Sequence, residues 1–369
     1  MRPSFHPRLI NGPFDDPGLY VPFLFQHRAM VFDLGDITCL AARDLLKISH
    51  AFITHTHMDH FIGFDRLLRT VLGREKTLAL FGPAGFLKNI EGKLAGYAWN
   101  LVGNYNYPLN LEITEVNSQS TVYRRYRCCD KFIPANESVE QPFNGILYEE
   151  PGFTVTAAIL DHGIPCLGLA IKEHFHINIL KDGLKKLGLE PGPWLADFKQ
   201  ALYSKSDPEF EFEQRSGPGE KTRHYRLGEL AAKIALITPG QKIGYIADAA
   251  YNQSNAEKII ALVEESDHLF IEAAFLDTDK DIAAEKNHLT AGQAGMLAAM
   301  AGVKHFSVFH FSPRYTGEEQ RLREEARLAY EKQMTENRGQ RFFEFGLRPI
   351  GTYAPAGSRN AECGRKTDV

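Results

Sequence analysis

Six residues, His55-Thr56-His57-Met58-Asp59-His60, constrain this chain more than any other stretch. Three imidazoles and a carboxylate follow directly on the apolar run Ala51-Phe52-Ile53 and Thr54. That run is short, aromatic and β-branched, so it reads as a buried strand. The polar side chains then fall on the loop at its carboxyl end. A loop there can aim alternate side chains at one point, as a metal site requires. Neutral imidazole with carboxylate suits Zn²⁺, and also Mn²⁺ or Fe²⁺. A chance cluster of surface histidines is the competing explanation, and four fixed positions within six residues make it a poor one.

Other candidate ligands share that placement. Phe153 to Leu160 reads as a strand delivering Asp161 and His162. Lys242 to Ala247 ends at Asp248, His268 to Ile271 ends at Glu272, and His305 to Phe309 ends at His310. Separate strands can bring their carboxyl ends to one edge, where loops carry chemistry. A lone buried histidine is more often a core residue with a satisfied hydrogen bond. Recurrence at strand ends argues instead for one shared site. Ala29 to Gly35 is a further strand, and Asp33 on it reads from the sequence alone as an exposed strand-end carboxylate.

Composition narrows the rest. The chain has 369 residues, 44% hydrophobic and 24% charged, enough for a globular core in one large domain or two small ones. A net charge of −4 argues against a generally basic nucleic-acid binder, so any RNA site must be a local patch. Cys39, Cys128, Cys129, Cys166 and Cys363 form no zinc-type Cys-x-x-Cys pair and no obvious disulfide framework, which fits a reducing cytosol. No signal-peptide core follows the start, and no apolar run is long enough to span a bilayer. The expectation is a soluble, cytoplasmic protein without a membrane partner, as a monomer or homodimer.

In chain order, residues 1 to 28 are rich in Pro and Gly turn signals. Ile62 to Leu72 and Phe86 to Ala98 have helical spacing, with a strand at Leu78 to Phe81 between them. Asn117 to Asn144 reads as a lengthened loop. In it, Tyr123-Arg124-Arg125-Tyr126-Arg127 is either a base-stacking strip or, more simply, an exposed hairpin with snorkelling arginines. Residues 172 to 235 break the pattern with a helix-like Ile179 to Leu187, the turn Pro191-Gly192-Pro193 and an irregular polar segment to Arg226. Eleven Lys or Arg face ten Asp or Glu there, a net of +1. Capping-box spacing is expected at Ser254-Asn255-Ala256-Glu257 and Thr290-Ala291-Gly292-Gln293, and Thr316 should cap a last amphipathic helix. Residues 1 to 354 read as the working domain and 355 to 369 as a small, polar, disordered tail.

The motif His-x-His-x-Asp-His resembles the signature of the metallo-β-lactamase superfamily. Leu160-Asp161-His162-Gly163-Ile164-Pro165, the span from His288 to Gly302, and His310-Phe311-Ser312-Pro313-Arg314-Tyr315 look like its ribonuclease Z branch, the endonucleases that trim the 3′ end of precursor tRNA. The likeness covers roughly residues 30 to 320 in broken blocks. It implies an α/β fold, the αββα sandwich, with residues 172 to 235 as an inserted flexible arm that grips tRNA. It implies two divalent ions, zinc foremost. His55, His57 and His162 would hold one, and Asp59, His60 and His310 the other, with Asp248 bridging. Such a pair activates a water and clamps the oxygens of a displacement at phosphorus. Asp59 could also orient the nucleophile, and the resemblance makes Asp33 a buttress of the metal loop, holding a histidine ring. His288, supported by Glu272, would protonate the leaving oxygen, and Arg314 with Ser312 would meet the phosphate.

The neighbours of these residues depart from the branch. No Gly-Thr-Gly loop opens the chain. The branch's His-Gly-Asp-His, Gly-Asp-Thr and His-Glu-Ala-Thr become His57-Met58-Asp59-His60, Ala247-Asp248-Ala249 and Ile271-Glu272-Ala273-Ala274. Two functional readings follow, a precursor-tRNA endoribonuclease and a hydrolase of a small phosphodiester, lactone or thioester. A non-enzymatic metal-binding protein is the third, and no ligand is visibly lost to favour it.

Overall fold

Alternation of side chains along the strands divides the apolar residues among three layers of core. The computed structural model describes residues 4–24, 26–135, 138–215 and 222–344. Among these, eight strands form one sheet, in the spatial order Arg8–Leu9, Leu19–Pro22, Ala29–Phe32, Ile48–Phe52, Lys76–Pro83, Leu109–Val116, Ser120–Arg127 and Val139–Pro142. The four central strands run parallel and the flanking ones antiparallel. Six strands form a second sheet, in the order Phe306–Phe309, His268–Glu272, Lys242–Ile246, Pro165–Glu173, Phe153–Asp161 and Ile146–Glu150. Its first three strands are parallel.

Met30, Phe32, Phe52 and Phe81 of the first sheet meet Val155, Leu169, Tyr245 and Phe270 of the second in the middle layer. The residues between them point the other way, as the period of two requires. Val31, Ala51, Leu80 and Leu111 pack on helices Phe64–Val71 and Phe86–Ala95. Leu160, Ile246, Leu269 and Ile271 pack under helices Gln253–Val263, Ala291–Met300 and Glu319–Glu344. Two of these helices nearly touch: a Cβ on Gly295 would lie 1.9 Å from the Ala326 carbonyl oxygen. Helix, sheet, sheet and helix in that order make the αββα sandwich of the metallo-β-lactamase fold. No helix among the described residues is long and apolar enough to cross a membrane.

Four local expectations are corrected. Asn117 to Asn144 is not a lengthened loop, because Ser120–Arg127 and Val139–Pro142 extend the first sheet. In that strip Arg124 pairs with Glu91, Arg125 with Glu112 and Arg127 with Asp130, while Tyr126 is buried with its hydroxyl donating to Glu91. Those arginines are the paired face of a hairpin. The helix through Val263 is capped by Asn252, whose side chain accepts from the Asn255 amide, and not by Ser254. Thr316 closes the short helix Pro313–Tyr315, with its amide and hydroxyl donating to the Pro313 carbonyl, and the last helix starts at Glu319. The box at Thr290 and Gln293 is present in full.

The fourth correction concerns residues 172 to 235. The described residues of this segment are not irregular. Phe175–Ile179 pairs with Ala235–Pro239 as a two-stranded stalk, so Ile179 ends a strand and the helix begins at Lys181. Helices Lys181–Leu187, Trp194–Tyr203 and Leu227–Ile234 and the hairpin Glu211–Arg215 with Thr222–Arg226 follow. Leu184, Phe198, Phe212 and Leu230 give this arm a small core of its own. Elements this short carry too few periods to be read from hydrophobic spacing. The expected tail, 355 to 369, and the domain boundary at 354 lie outside the described residues.

His50 lies beside the middle layer, its ring 4.2 Å from that of Tyr148. Burial, with Arg28 adding to it and Glu150 opposing, pushes its pKa down from 6.5 to about 4. The unfolded chain therefore takes up this proton first as pH falls. The contribution of His50 is intact above about pH 6.5 and is withdrawn as pH drops towards 4. We expect this group to cost on the order of 2 kcal/mol between pH 7 and 4.5. His50→Leu should flatten that part of the slope in urea unfolding of the metal-free protein. Equal slopes in wild type and variant would show that His50 titrates freely in the fold.

Candidate metal centre

The strand ends that carry His55, His162, Asp248 and His310 open on the same edge of the sandwich. Three overlapping groups result among the described residues. In one, single nitrogen or oxygen atoms of His55, His57, His162 and Asp248 all lie within 4.8 Å of one another; in the second those of Asp59, His60 and His310 do, and in the third those of Asp248, His288 and His310. Asp248 stands between the groups. Its Oδ2 is 3.3 Å from His162 Nε2, 3.4 Å from His60 Nε2 and 3.6 Å from His55 Nε2. Its Oδ1 is 3.1 Å from His310 Nε2. Asp59 Oδ2 lies 3.5 Å from His60 Nε2 and 3.7 Å from His310 Nε2.

The far nitrogens of the rings are fixed from behind. His60 Nδ1 is 3.0 Å from Asp33 Oδ2, and His162 Nδ1 donates to the Asn287 carbonyl at 2.8 Å. His55 Nδ1 is 3.1 Å from Thr54 Oγ1 and 3.7 Å from Cys166 Sγ. Each of these contacts sets the ring so that Nε2 faces the centre. Asp33 is fully buried and also accepts from Thr54 N at 2.7 Å and Tyr245 Oη at 3.0 Å. It is therefore the buttress and not an exposed carboxylate. Asp33 and His310 both adopt left-handed backbone, with φ of 59° and 60°. Such strain persists only where the surroundings impose it. The loop below the motif is knitted to residues 34 and 35: a Cβ on Gly35 would come within 2.5 Å of the Asp59 carbonyl oxygen.

A divalent ion fits this cradle. His55 Nε2, His60 Nε2 and Asp248 Oδ1 are buried without a hydrogen-bond partner. Asp248 Oδ1 and His310 Nε2 are close, yet they miss hydrogen-bond geometry. Side chains that converge on a point without bonding one another are what ligands of one ion show. For His55 and Asp248 the electrostatics agree. Burial, with the charge of His60 and other neighbouring imidazoles, pushes His55 far below the ordinary histidine range, leaving a neutral lone pair. Burial disfavours the Asp248 carboxylate, but His310 and His60 outweigh it and keep it ionised. Burial likewise opposes charge on His60, and Asp248 with Asp33 overcomes it and raises its pKa.

Glu272 and His288 sit beside this cluster. Glu272 is fully buried; its Oε1 accepts from Ala249 N at 2.7 Å and its Oε2 is 2.9 Å from His288 Nδ1. Burial works against a charged His288, but Glu272 and then Asp248 lift it to about 9. His288 Nδ1 is also 3.9 Å from Asp248 Oδ1. Arg314 is turned onto Asp279, with Nη1 3.3 Å from Oδ2, and lies over the rings of Phe275 and Tyr315. Ser312 donates its amide to the Ala274 carbonyl and starts the short helix Pro313–Tyr315. Thr54, Tyr245, Asn255 and Asn287 were not singled out from sequence. Each acts through hydrogen bonds that reach elements distant in sequence, and no local spacing marks them.

No family model matches the chain. Ribonuclease Z of Exiguobacterium sibiricum is 31% identical over 290 residues, 78% of each chain. Ribonuclease Z of Methanocaldococcus jannaschii is 27% identical over 308 residues, 81% of each. Among solved structures, a metallo-beta-lactamase fold protein from Bacillus subtilis aligns with a TM-score of 0.48 and 16% identity, covering 88% of this chain and 94% of that one. The short form of human tRNase Z aligns with a TM-score of 0.47 and 18% identity, covering 85% and 93%. Ribonuclease Z of Deinococcus radiodurans is 30% identical over 289 residues, 78% of this chain and 83% of its own length, and on that likeness the chain belongs to the ribonuclease Z family.

Proposed function

We propose that this chain is a metal-dependent endoribonuclease that cuts precursor tRNA on its 3′ side and leaves a 3′ hydroxyl. The observation that carries the reading is the set of buried, unpartnered atoms of His55, His60 and Asp248 turned to one centre, in a chain of this family. His55, His57 and His162 would hold one ion, Asp59, His60 and His310 the other, with Asp248 placed to serve both. Zinc is the expected ion for this nitrogen and oxygen set, with Mn²⁺ or Fe²⁺ as alternatives. When bound, the ions supply a water that ionises near neutral pH and neutralise charge on the phosphate. The working compartment is a reducing cytoplasm, where Cys39, Cys128, Cys129 and Cys166 stay thiols.

The chain's own groups do the rest. Asp59, between two ligand histidines and partly exposed, orients the attacking oxygen. Glu272 holds His288 Nδ1–H, which fixes the ring and leaves Nε2–H to protonate the departing ribose oxygen. Arg314 exchanges Asp279 for a phosphate oxygen, with Ser312 beside it. The arm reaches the body of the tRNA with the exposed Lys181, Lys185 and Lys186. Lys199 does not belong with them, because it is half-buried at the arm's root, where burial lowers its pKa and Glu173 raises it. The net charge of −4 favours a second reading, a hydrolase of small phosphodiesters, lactones or thioesters at the same centre.

Elemental analysis should find about two divalent ions per chain, and His60→Ala should lose one of them with most of the hydrolysis. Active wild-type protein free of metal would end the reading. His288→Ala should slow precursor-tRNA cleavage by roughly 10²- to 10⁴-fold while retaining metal. It should slow a nitrophenyl phosphodiester far less, since that leaving group hardly needs a proton. Equal slowing of both substrates would make His288 a purely structural residue. The third expectation concerns the arm. Ile179 and Ala235 are paired across the stalk, so a two-residue turn can join them in place of the arm. That variant should lose most precursor-tRNA affinity in a gel-shift titration and keep most small-diester turnover. Wild-type binding should weaken as salt rises, because phosphate contacts release counterions. Unchanged tRNA affinity without the arm would move the assignment to the small-ester hydrolase.

A further inference from the structure

Asn255 is a polar side chain with 1% of its surface exposed, and every group of its carboxamide is used. Its Oδ1 accepts from Asp161 N at 3.0 Å. Its Nδ2 donates to the Asp161 carbonyl and to the Ala250 carbonyl, both at 2.8 Å. The Ala250 amide donates to the same Asp161 carbonyl at 2.8 Å. Asn255 is itself fixed, since its amide is held by the Asn252 cap. One side chain thus ties the backbone before His162 to the backbone after Asp248. These two ligands sit in one group, 3.3 Å apart at their facing atoms. The second group is held otherwise, His60 by Asp33.

We propose that Asn255 is a positioning residue for the metal centre, setting the spacing of His162 and Asp248 and so the affinity of the ion bound with His55 and His57. The proposal rests on the metal-site reading above. Its chemistry is specific. An amide offers one acceptor and two donors at this reach, whereas a carboxylate would face two carbonyl oxygens and an alkyl group would leave the Asp161 peptide unsatisfied.

The test is zinc retention against a graded chromophoric chelator, alongside the unfolding midpoint of the metal-free protein. Wild type should release two ions in two steps. Asn255→Asp should move one step by roughly 10- to 100-fold in chelator and the other by much less, the usual scale for a group behind a ligand. In a His162→Ala background the same substitution should add little, because its effect runs through that loop. A stability change alone, with both steps unmoved, overturns the proposal, and so does equal weakening of both steps that persists without His162. Asn255→Ser keeps one donor and is scored by the same criteria if Asn255→Asp does not fold. Wild type that binds no zinc would overturn the metal-site reading instead, so the two failures are told apart.

Discussion

Asp33 is a fully buried carboxylate between two sheets that otherwise meet through Phe32, Phe52, Phe81 and Phe270. A charge in that position is costly unless each oxygen is bonded. Thr54 supplies its amide and hydroxyl, His60 its Nδ1, and Tyr245 its hydroxyl from the opposite sheet. The same bonds that satisfy Asp33 therefore join the sheets, fix the loop that starts at Thr54 and aim His60 at the centre. Removing the carboxylate would unpin a ligand and leave the Tyr245 hydroxyl buried without its acceptor. Stability and site geometry share these atoms. This explains why a strained φ of 59° is tolerated at Asp33.

From that anchor the site is built by convergence of strand ends. Ala29–Phe32 and Ile48–Phe52 of the first sheet deliver Asp33 and the His55 loop. Phe153–Asp161, Lys242–Ile246, His268–Glu272 and Phe306–Phe309 of the second deliver His162, Asp248, Glu272 and His310. Because neighbouring strands sit about 5 Å apart, ligands from adjacent ends reach one ion without long side chains. The parallel run of three strands in the second sheet places Asp248, Glu272 and His310 side by side at one edge.

How much of this was legible follows from length scale. The candidate residues at strand ends were readable where an apolar run ends in an ionisable residue, as before Asp161, Asp248, Glu272 and His310, a pattern complete within about ten residues. The arm was not, since Phe198, Phe212 and Leu230 form its core from separate short elements. Ser120–Arg127 belongs to the hairpin that the arginine-rich strip suggested, but its place in the first sheet was hidden because its half-exposed face masks the alternation. The caps divide by residue pattern: Thr290 and Gln293 satisfy each other as a full capping box, whereas Asn252 caps its helix alone, two residues ahead of the Ser254 spacing. Arg314 pairs with Asp279, which comes from the short helix Asp277–Asp279, and no local pattern joins the two.

The altered residues around the ligands become understandable once the partners are seen to be backbone. Met58 stands where the branch has glycine, and 77% of it is exposed, so its side chain leaves the loop for solvent. Ala249 replaces a threonine, yet what Glu272 receives there is the Ala249 amide, which any residue but proline supplies. His162 is oriented by the carbonyl of Asn287, again independent of side-chain identity. Where a side chain is itself the partner, as at Asp33, Glu272 and Asn255, substitution has no such freedom. The centre can therefore keep its ligand geometry while its sequence surroundings drift. What such drift alters is the surface beside the ions, and with it the fit of the substrate, before it alters the chemistry.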